Sequence, residues 1–470
     1  MTHDSGWSEG VVAKISKLLS ARMLAQVIAI SWFLGIARVF DSGELGILAA
    51  GLVAFATVSV LSDMGTTWSI AREVTGRPDL GWGLYRQALR VRSLGVLAIG
   101  GTITLVAAVL VDRRMLIAIM LGVVLALVSG ASELGMSTLR SVGTIGAESI
   151  ALPLERAVFL VLATGIVSSG RGPNPVLVAY IATNLVTAVI MYRKIRRELR
   201  PLASAGEVPS LWSGETRRVG VAFAVLALGP RANALVLVLL ASRWEVADYS
   251  VASRPVEQFA LTVFGFSTTM LPLLRSDHLG GRDPAERMGG IAAGVTLVAL
   301  PGIVWAMLAP GPIIDLIYGA DRYPGAPTVL ALVAIVAVTW PLRGLAGLVM
   351  VARDDAAGLA RISFAGLLLN LAMVIPLATQ YGATGVAIAL VVSELATSTA
   401  LVVHSGLLHR SDSTQKLGTG AALGVCSGVL ASMLPLAFGI VIVAVGTAGA
   451  VALALIANRQ IARTGQVVWA

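Results

Sequence analysis

The chain has 470 residues, 56% of them hydrophobic and only 13% charged, with a mean hydropathy of +0.85. Soluble domains carry about 25% charged residues, so the composition excludes a soluble globular protein. It defines an all-α polytopic membrane protein whose length counts spans rather than globular domains. The formal charge of +9 and pI of 10.2 come without an aromatic-interleaved basic patch. They are read as the lysine and arginine bias of cytoplasmic loops, not as a nucleic-acid surface. Cys426 is the sole cysteine, and His3, His278, His404 and His409 have no ligand-like spacing. The expectation is no disulfide, no metal site and no cofactor.

The polar start, with Asp4 and Glu9, lacks a small-residue cleavage site after a short apolar core. The first span is therefore expected to be a retained helix. Apolar runs of bilayer length follow near 18–38, 45–70, 93–111, 115–138, 148–168 and 174–192. After a basic stretch at 193–218 with Pro201 and Pro209 they resume near 219–240, 247–274, 289–310, 326–350, 361–379 and 383–403. A last pair, 417–435 and 437–457, is separated only around Pro435. Fourteen spans are predicted, in three parts: residues 1–205 (spans one to six), 206–410 (spans seven to twelve) and 411–470, a two-helix extension. Placing the N-terminus in the cytoplasm leaves the outer segments only Arg38, Arg113, Arg114, Arg171, Arg243 and Arg322. This asymmetry predicts a multi-pass protein of the cytoplasmic membrane with both ends inside. A last hairpin hardly changes it, so twelve spans remain open. Outer loops are too short for a large external domain.

Charges inside spans are the next signal. A central arginine costs about 3 kcal/mol on insertion scales, and four fall within spans. Arg156 in span five adjoins Glu155, but neighbours on a helix point apart, so each needs a partner on another helix. Arg231 in span seven lies about 12 residues, roughly 18 Å, from the inner end. It follows Pro230, which kinks a helix. It either lines a cavity or is satisfied by carbonyls freed at the kink. Arg254 and Glu257 in span eight are three apart, on one face, as an internal pair or as part of a cavity. Arg343 in span ten follows Pro341 and either faces a cavity or snorkels inward. Together they are candidates for holding an anion such as pyrophosphate, with Arg22 and Arg72 at the entrance as further candidates or as topology anchors. Asp63, Glu133, Glu257 and Glu394 are candidate ion-coupling carboxylates, or else counter-ions to the arginines. No Ser/His/Asp set and no phosphate-cradling glycine loop supports an enzyme.

The two halves share a pattern. Ala37–Gly46 joins spans one and two, Ala241–Ser250 joins spans seven and eight, and Phe40 with Glu44 matches Trp244 with Asp248 at a constant offset. Arg140 and Arg353 each follow an even-numbered span. Parallel repeats of this kind build one class of transporter.

The segment Leu34–Gly46, running on through Leu61-Ser-Asp-Met-Gly65 to Ala71-Arg-Glu73, resembles the first hairpin of the polysaccharide-transport family of Wzx-like flippases. Gln380–Ala389 with Ser393-Glu394, and Leu369-Asn370, resemble its segment before and into span twelve. That family belongs to the MOP superfamily, with the MATE drug exporters and lipid II flippases. The resemblance implies two six-helix lobes around a V-shaped, alternating-access cavity. It also implies an undecaprenyl-pyrophosphate-linked oligosaccharide as substrate, H+ or Na+ as coupling ion, and membrane lipids and envelope glycan assembly proteins as partners. One departure is that span seven carries Pro230-Arg231-Ala-Asn233 where the family often has an acid. The alternatives are a lipid II-type exporter, a multidrug exporter, whose cationic substrates fit arginines poorly, and a non-transporting scaffold for envelope glycan assembly.

Overall fold

The computed structural model describes residues 9–74, 77–203, 214–268, 274, 277–281 and 283–407. The last expected hairpin, at 417–435 and 437–457, lies outside the described residues. Among the described residues the secondary structure is helical, with no strand.

Helices α1 (Glu9–Val39) and α2 (Ser42–Asp63) are joined by a short turn. The Asp41 carboxylate there accepts from the Glu44 amide at 2.7 Å. Asp112 does the same at the start of α5, accepting from Arg114 and Met115. Each such cap contributes about 1 kcal/mol and fixes where the chain re-enters. Helix α3 (Thr66–Val74) is short, and α4 (Pro78–Leu110) is one continuous helix. The span expected at 93–111 is thus the later part of α4, and Arg86, Arg90 and Arg92, expected in a loop, lie on it. Helices α5 (Arg113–Ser141), α6 (Ile145–Ser168), α7 (Pro173–Leu199) and α8 (Gly214–Leu240) follow.

The chain divides into two compact units, Met1–Trp244 and Glu245–Ala470. In the first, α5 packs on α2 and α7, α1 on α6, and α8 lies along α2. Small residues permit this. A Cβ on Gly51 of α2 would lie 2.8 Å from the Ala118 carbonyl oxygen of α5, so the two backbones meet where lipid gives no hydrophobic drive to association. One end of the unit holds a core of Leu80, Leu84, Tyr85, Leu134, Met191 and Ile195.

Helix α9 (Arg243–Thr268) leads into the second unit, which continues with α10 (Pro284–Leu308), α11 (Pro310–Tyr318), α12 (Ala326–Val333), α13 (Val336–Ala352) and α14 (Ala356–Ser405). The predicted tenth span is therefore two helices, α12 and α13. The 50 residues of α14 would make a straight rod of about 75 Å, against a hydrocarbon core of about 30 Å. It is broken at Gly382, with φ 53° and ψ −131°, a backbone conformation that favours glycine. A side chain there would also collide with the Glu245 carboxylate. The break falls between the predicted eleventh and twelfth spans.

Among the described residues ten helices are long and apolar enough to cross a membrane. Counting α14 as two crossings and adding the more charged α9 gives the twelve spans expected before the C-terminal hairpin. The protein is a multi-pass, all-α membrane protein.

Candidate functional site

In the first unit the intramembrane charges form three clusters. Arg92 of α4, only 3% exposed, donates to Glu133 of α5 at 2.6 Å and to Asp63 at 3.4 Å. Asp63 also accepts from the hydroxyls of Thr66 and Thr67 and so caps α3. Gly130 leaves room for this guanidinium, since a Cβ there would stand 2.7 Å from Arg92 Nε. Arg92 is not among the predicted site residues, because it lies one position before the predicted third span. The signal was present in the spacing Leu84, Ala88, Arg92, Val96 and Gly100, which are all buried and form one helix face.

The second cluster joins three helices. Arg22 of α1 donates through Nε and Nη2 to Glu148 of α6, at 3.0 and 2.6 Å. Arg140 of α5 stands 3.6 Å from the other oxygen of the same carboxylate. Two cations share one buried acid, which leaves a net positive charge there. Arg72 lies on α3, and its side chain falls outside the described residues.

In the third cluster Arg156 donates to the Tyr180 hydroxyl of α7, and its guanidinium lies 5.1 Å from the ring centroid. Glu155 is 3.9 Å away. Tyr180 stacks on Phe159 at 4.4 Å, and Trp32 meets Phe159 edge-on at 4.9 Å. This aromatic cluster around the arginine is not visible in the spacing of any one helix, because its members come from α1, α6 and α7.

Arg231 lies midway along α8 with its side chain partly exposed. Its main-chain oxygen accepts a long bond, 3.5 Å, from Thr57 of α2. Pro230 lies within α8, which continues as one helix through it. Three residues on, Asn233 is fully buried, and neither its amide nitrogen nor its amide oxygen has a hydrogen-bond partner. The α2–α8 seam is bracketed by two close approaches of backbone, each just beyond the end of one of the helices. Gly46 sits against the Arg243 main chain near one end. At the other end a Cβ on Gly220 would lie 2.5 Å from the Gly65 Cα.

An unmet buried amide group costs about 1–3 kcal/mol. Asn233→Leu should therefore raise the melting temperature of the purified protein. A lower melting temperature would show that the amide stabilises this conformation.

In the second unit Arg343 of α13 is 9% exposed and Glu394 of α14 is 3% exposed. They form a buried ion pair at 2.5 Å. One residue away, the Ser393 hydroxyl donates to Asn370 at 3.1 Å, which ties together the two sequence segments around the Gly382 break. Arg254 and Glu257 approach to 3.8 Å on one face of α9.

Each of the five intraspan acids, Asp63, Glu133, Glu155, Glu257 and Glu394, thus lies within 4 Å of an arginine guanidinium. These pairs reduce the penalty of burying the charges, and any proton or metal ion at one of these carboxylates competes with a guanidinium.

Helices arranged in this way define a class of fold. No protein-family model matches the sequence, and no curated protein matches it. Among solved structures, the lipid II flippase MurJ in an inward closed conformation superposes with a TM-score of 0.67 at 11% identity, covering 93% of this chain and 98% of that one. A multidrug resistance MATE family transporter of the MOP superfamily, inward-facing, gives 0.58 at 15% identity over 87% and 98%. A MOP superfamily transporter from Pyrococcus furiosus, described as having a binding pocket of reverse polarity, gives 0.54 at 15% identity over 87% and 96%. The fold is that of the MOP-superfamily transporters.

Proposed function

We propose that the chain is not an enzyme but a flippase, one that moves an undecaprenyl-pyrophosphate-linked oligosaccharide across the bacterial cytoplasmic membrane by alternating access, with an ion gradient as the driving force. Its functional lobes are residues 1–205 and 206–410, with 411–470 as an appended hairpin and both termini in the cytoplasm. The observation that carries the reading is the presence of both Arg231 and a buried, unpartnered Asn233 amide near the middle of the α8 span. The two lie two residues apart, Arg231 with its side chain partly exposed and Asn233 with a buried amide that has no hydrogen-bond partner. Both donate to phosphate oxygens, and arginine does so with several parallel hydrogen bonds. The buried Arg343–Glu394 pair is suited to coupling. A proton or Na+ taken up by Glu394 releases Arg343 to an anion, and Asp63 stands in the same relation to Arg92. Arg156, Arg254, Arg22 and Arg72 remain supporting phosphate contacts, and Glu133 and Glu257 further coupling acids. Membrane lipids and envelope glycan assembly proteins are the expected partners.

A second reading, transport of a lipid II-type substrate, is favoured by the likeness to the lipid II flippase. It uses the same pyrophosphate chemistry with a different glycan.

Arg231→Ala and Arg343→Ala, in protein shown to be inserted, should each lower glycan export at least tenfold. Unchanged export by both variants would sink the proposal. Parallel assays with lipid II and with the longer glycan carrier separate the two readings.

A further inference from the structure

The end of α7 carries a charge pattern that none of the transport chemistry uses. Residues Tyr192–Arg200 read Tyr-Arg-Lys-Ile-Arg-Arg-Glu-Leu-Arg. Arg193, Arg196, Arg197 and Arg200 recur at i, i+3, i+4 and i+7, so they share one helix face. All four are exposed, and with Pro201 they line an open cleft of about 460 Å³.

The opposite face is fixed. Met191, Ile195 and Leu199 are buried in the core of this end of the unit. The one acid in the stretch is turned away from the arginines. Glu198 lies 3.5 Å from Lys194 and accepts from the Thr144 hydroxyl at 3.4 Å. Among the described residues, no carboxylate forms an ion pair with these four arginines. A solvated charge run with interspersed acids would look different.

The stripe also stands at a definite depth. Along α7 the outward residues Val178, Leu185, Val186, Val189 and Ile190 are large, apolar and exposed, as a lipid-facing surface requires. The character changes at Tyr192, and from Arg193 onward the outward residues are cationic. Tyr192 lies 5.9 Å from Trp82 of α4, ring to ring. On α4 exposed Arg86 and Arg90 give way to exposed Leu94 and Leu97. Both helices thus change from exposed charge to exposed hydrocarbon, and the Tyr192–Trp82 ring contact lies near the charged end of each, as expected close to a headgroup layer.

The geometry points to a binding site for the phosphodiester headgroup of an anionic phospholipid, held by Arg193, Arg196, Arg197 and Arg200 on the cytoplasmic leaflet. Guanidinium groups match phosphate oxygens with paired donors. Basic clusters just inside a membrane span attract anionic lipid over a distance that salt shortens. The cleft gives the headgroup a place to sit, while the acyl chains lie along the exposed apolar face of α7. The site does not depend on which substrate the protein moves.

The test uses the full chain reconstituted in vesicles of phosphatidylcholine, with or without phosphatidylglycerol, and a fluorescent phosphatidylglycerol as probe. Wild type should bind the probe at least tenfold more tightly than the variant Arg193→Gln, Arg196→Gln, Arg197→Gln, Arg200→Gln. Added salt should narrow the gap. The four-lysine variant keeps the charge and should retain most of the affinity, which separates lost binding from lost folding. Arg113→Gln with Arg114→Gln, at the other membrane face, should change nothing. Equal affinity of wild type and the glutamine variant would overturn the assignment. So would displacement of the probe by inorganic phosphate at equal concentration, which would make this a soluble-phosphate site.

Discussion

Replacing Arg343 with alanine is expected to destabilise the second unit by about 3–5 kcal/mol, because it strands a buried carboxylate. Arg343 and Glu394 meet at 2.5 Å, with 9% and 3% of their surfaces exposed. Little solvent is available to screen the charge left behind. Glu394→Ala should do comparable harm by leaving the guanidinium alone. The double variant Arg343→Met with Glu394→Gln should recover most of the loss, since a buried pair often contributes little net stability over apolar residues of similar volume. Thermal unfolding in detergent, followed by tryptophan fluorescence, reads all three. A double variant as unstable as the single ones would show that the pair is not what holds these helices. Export separates stability from function, because on the proposed mechanism the double variant folds but does not transport.

The second large effect is expected at the α2–α8 seam. Gly220→Val sets a branched side chain where even a Cβ would lie 2.5 Å from the Gly65 Cα. Backbone cannot yield as a flexible side chain does, so the end of the seam must part. Overpacking of this kind typically costs about 1–3 kcal/mol. Gly65 adds a second constraint, since its φ of +82° makes Gly65→Ala strained whatever room is found. The measurement is maleimide labelling of Thr57→Cys in a chain whose Cys426 is serine. Thr57 is 1% exposed, so the new thiol should be protected in the parent and labelled once Gly220→Val is added. Protection that survives the valine would mean that the glycine contact is not needed to close the seam.

Much of this architecture was legible from the chain. Span length and composition are set by the bilayer, so the helices at the first twelve of the fourteen predicted spans followed from apolar runs, while the last two fall outside the described residues. The Gly382 break fell where Gln380-Tyr-Gly had marked a boundary, and the pairing of Arg254 with Glu257 follows from three-residue spacing on one helix. The misses share a cause. Arg92 pairs with residues 29 and 41 positions away, and Arg343 with one 51 positions away. Such partners depend on how each helix is rotated about its axis, which a single sequence reveals only through its buried face. Tyr180 escaped notice for the same reason, because its neighbours arrive from α1 and α6. The division of the tenth span into α12 and α13 at Ala334–Ile335 has no proline or glycine to announce it.

The long separation within the Arg343–Glu394 pair has a consequence for how the protein is made. Translation proceeds at roughly 5–20 residues per second, so Arg343 is synthesised about 3–10 s before its counter-ion 51 residues later exists. During that interval the guanidinium has no carboxylate from α14 to meet. Arg92 is in the opposite position, since Asp63 precedes it in the chain and is waiting when it emerges. Within the first unit Arg22 waits longer still, because Glu148 follows it by 126 residues. In the second, α13 must shelter beside earlier helices or in the insertion machinery until the far half of α14 arrives. Commitment of these last helices to the bilayer is then a single joint event.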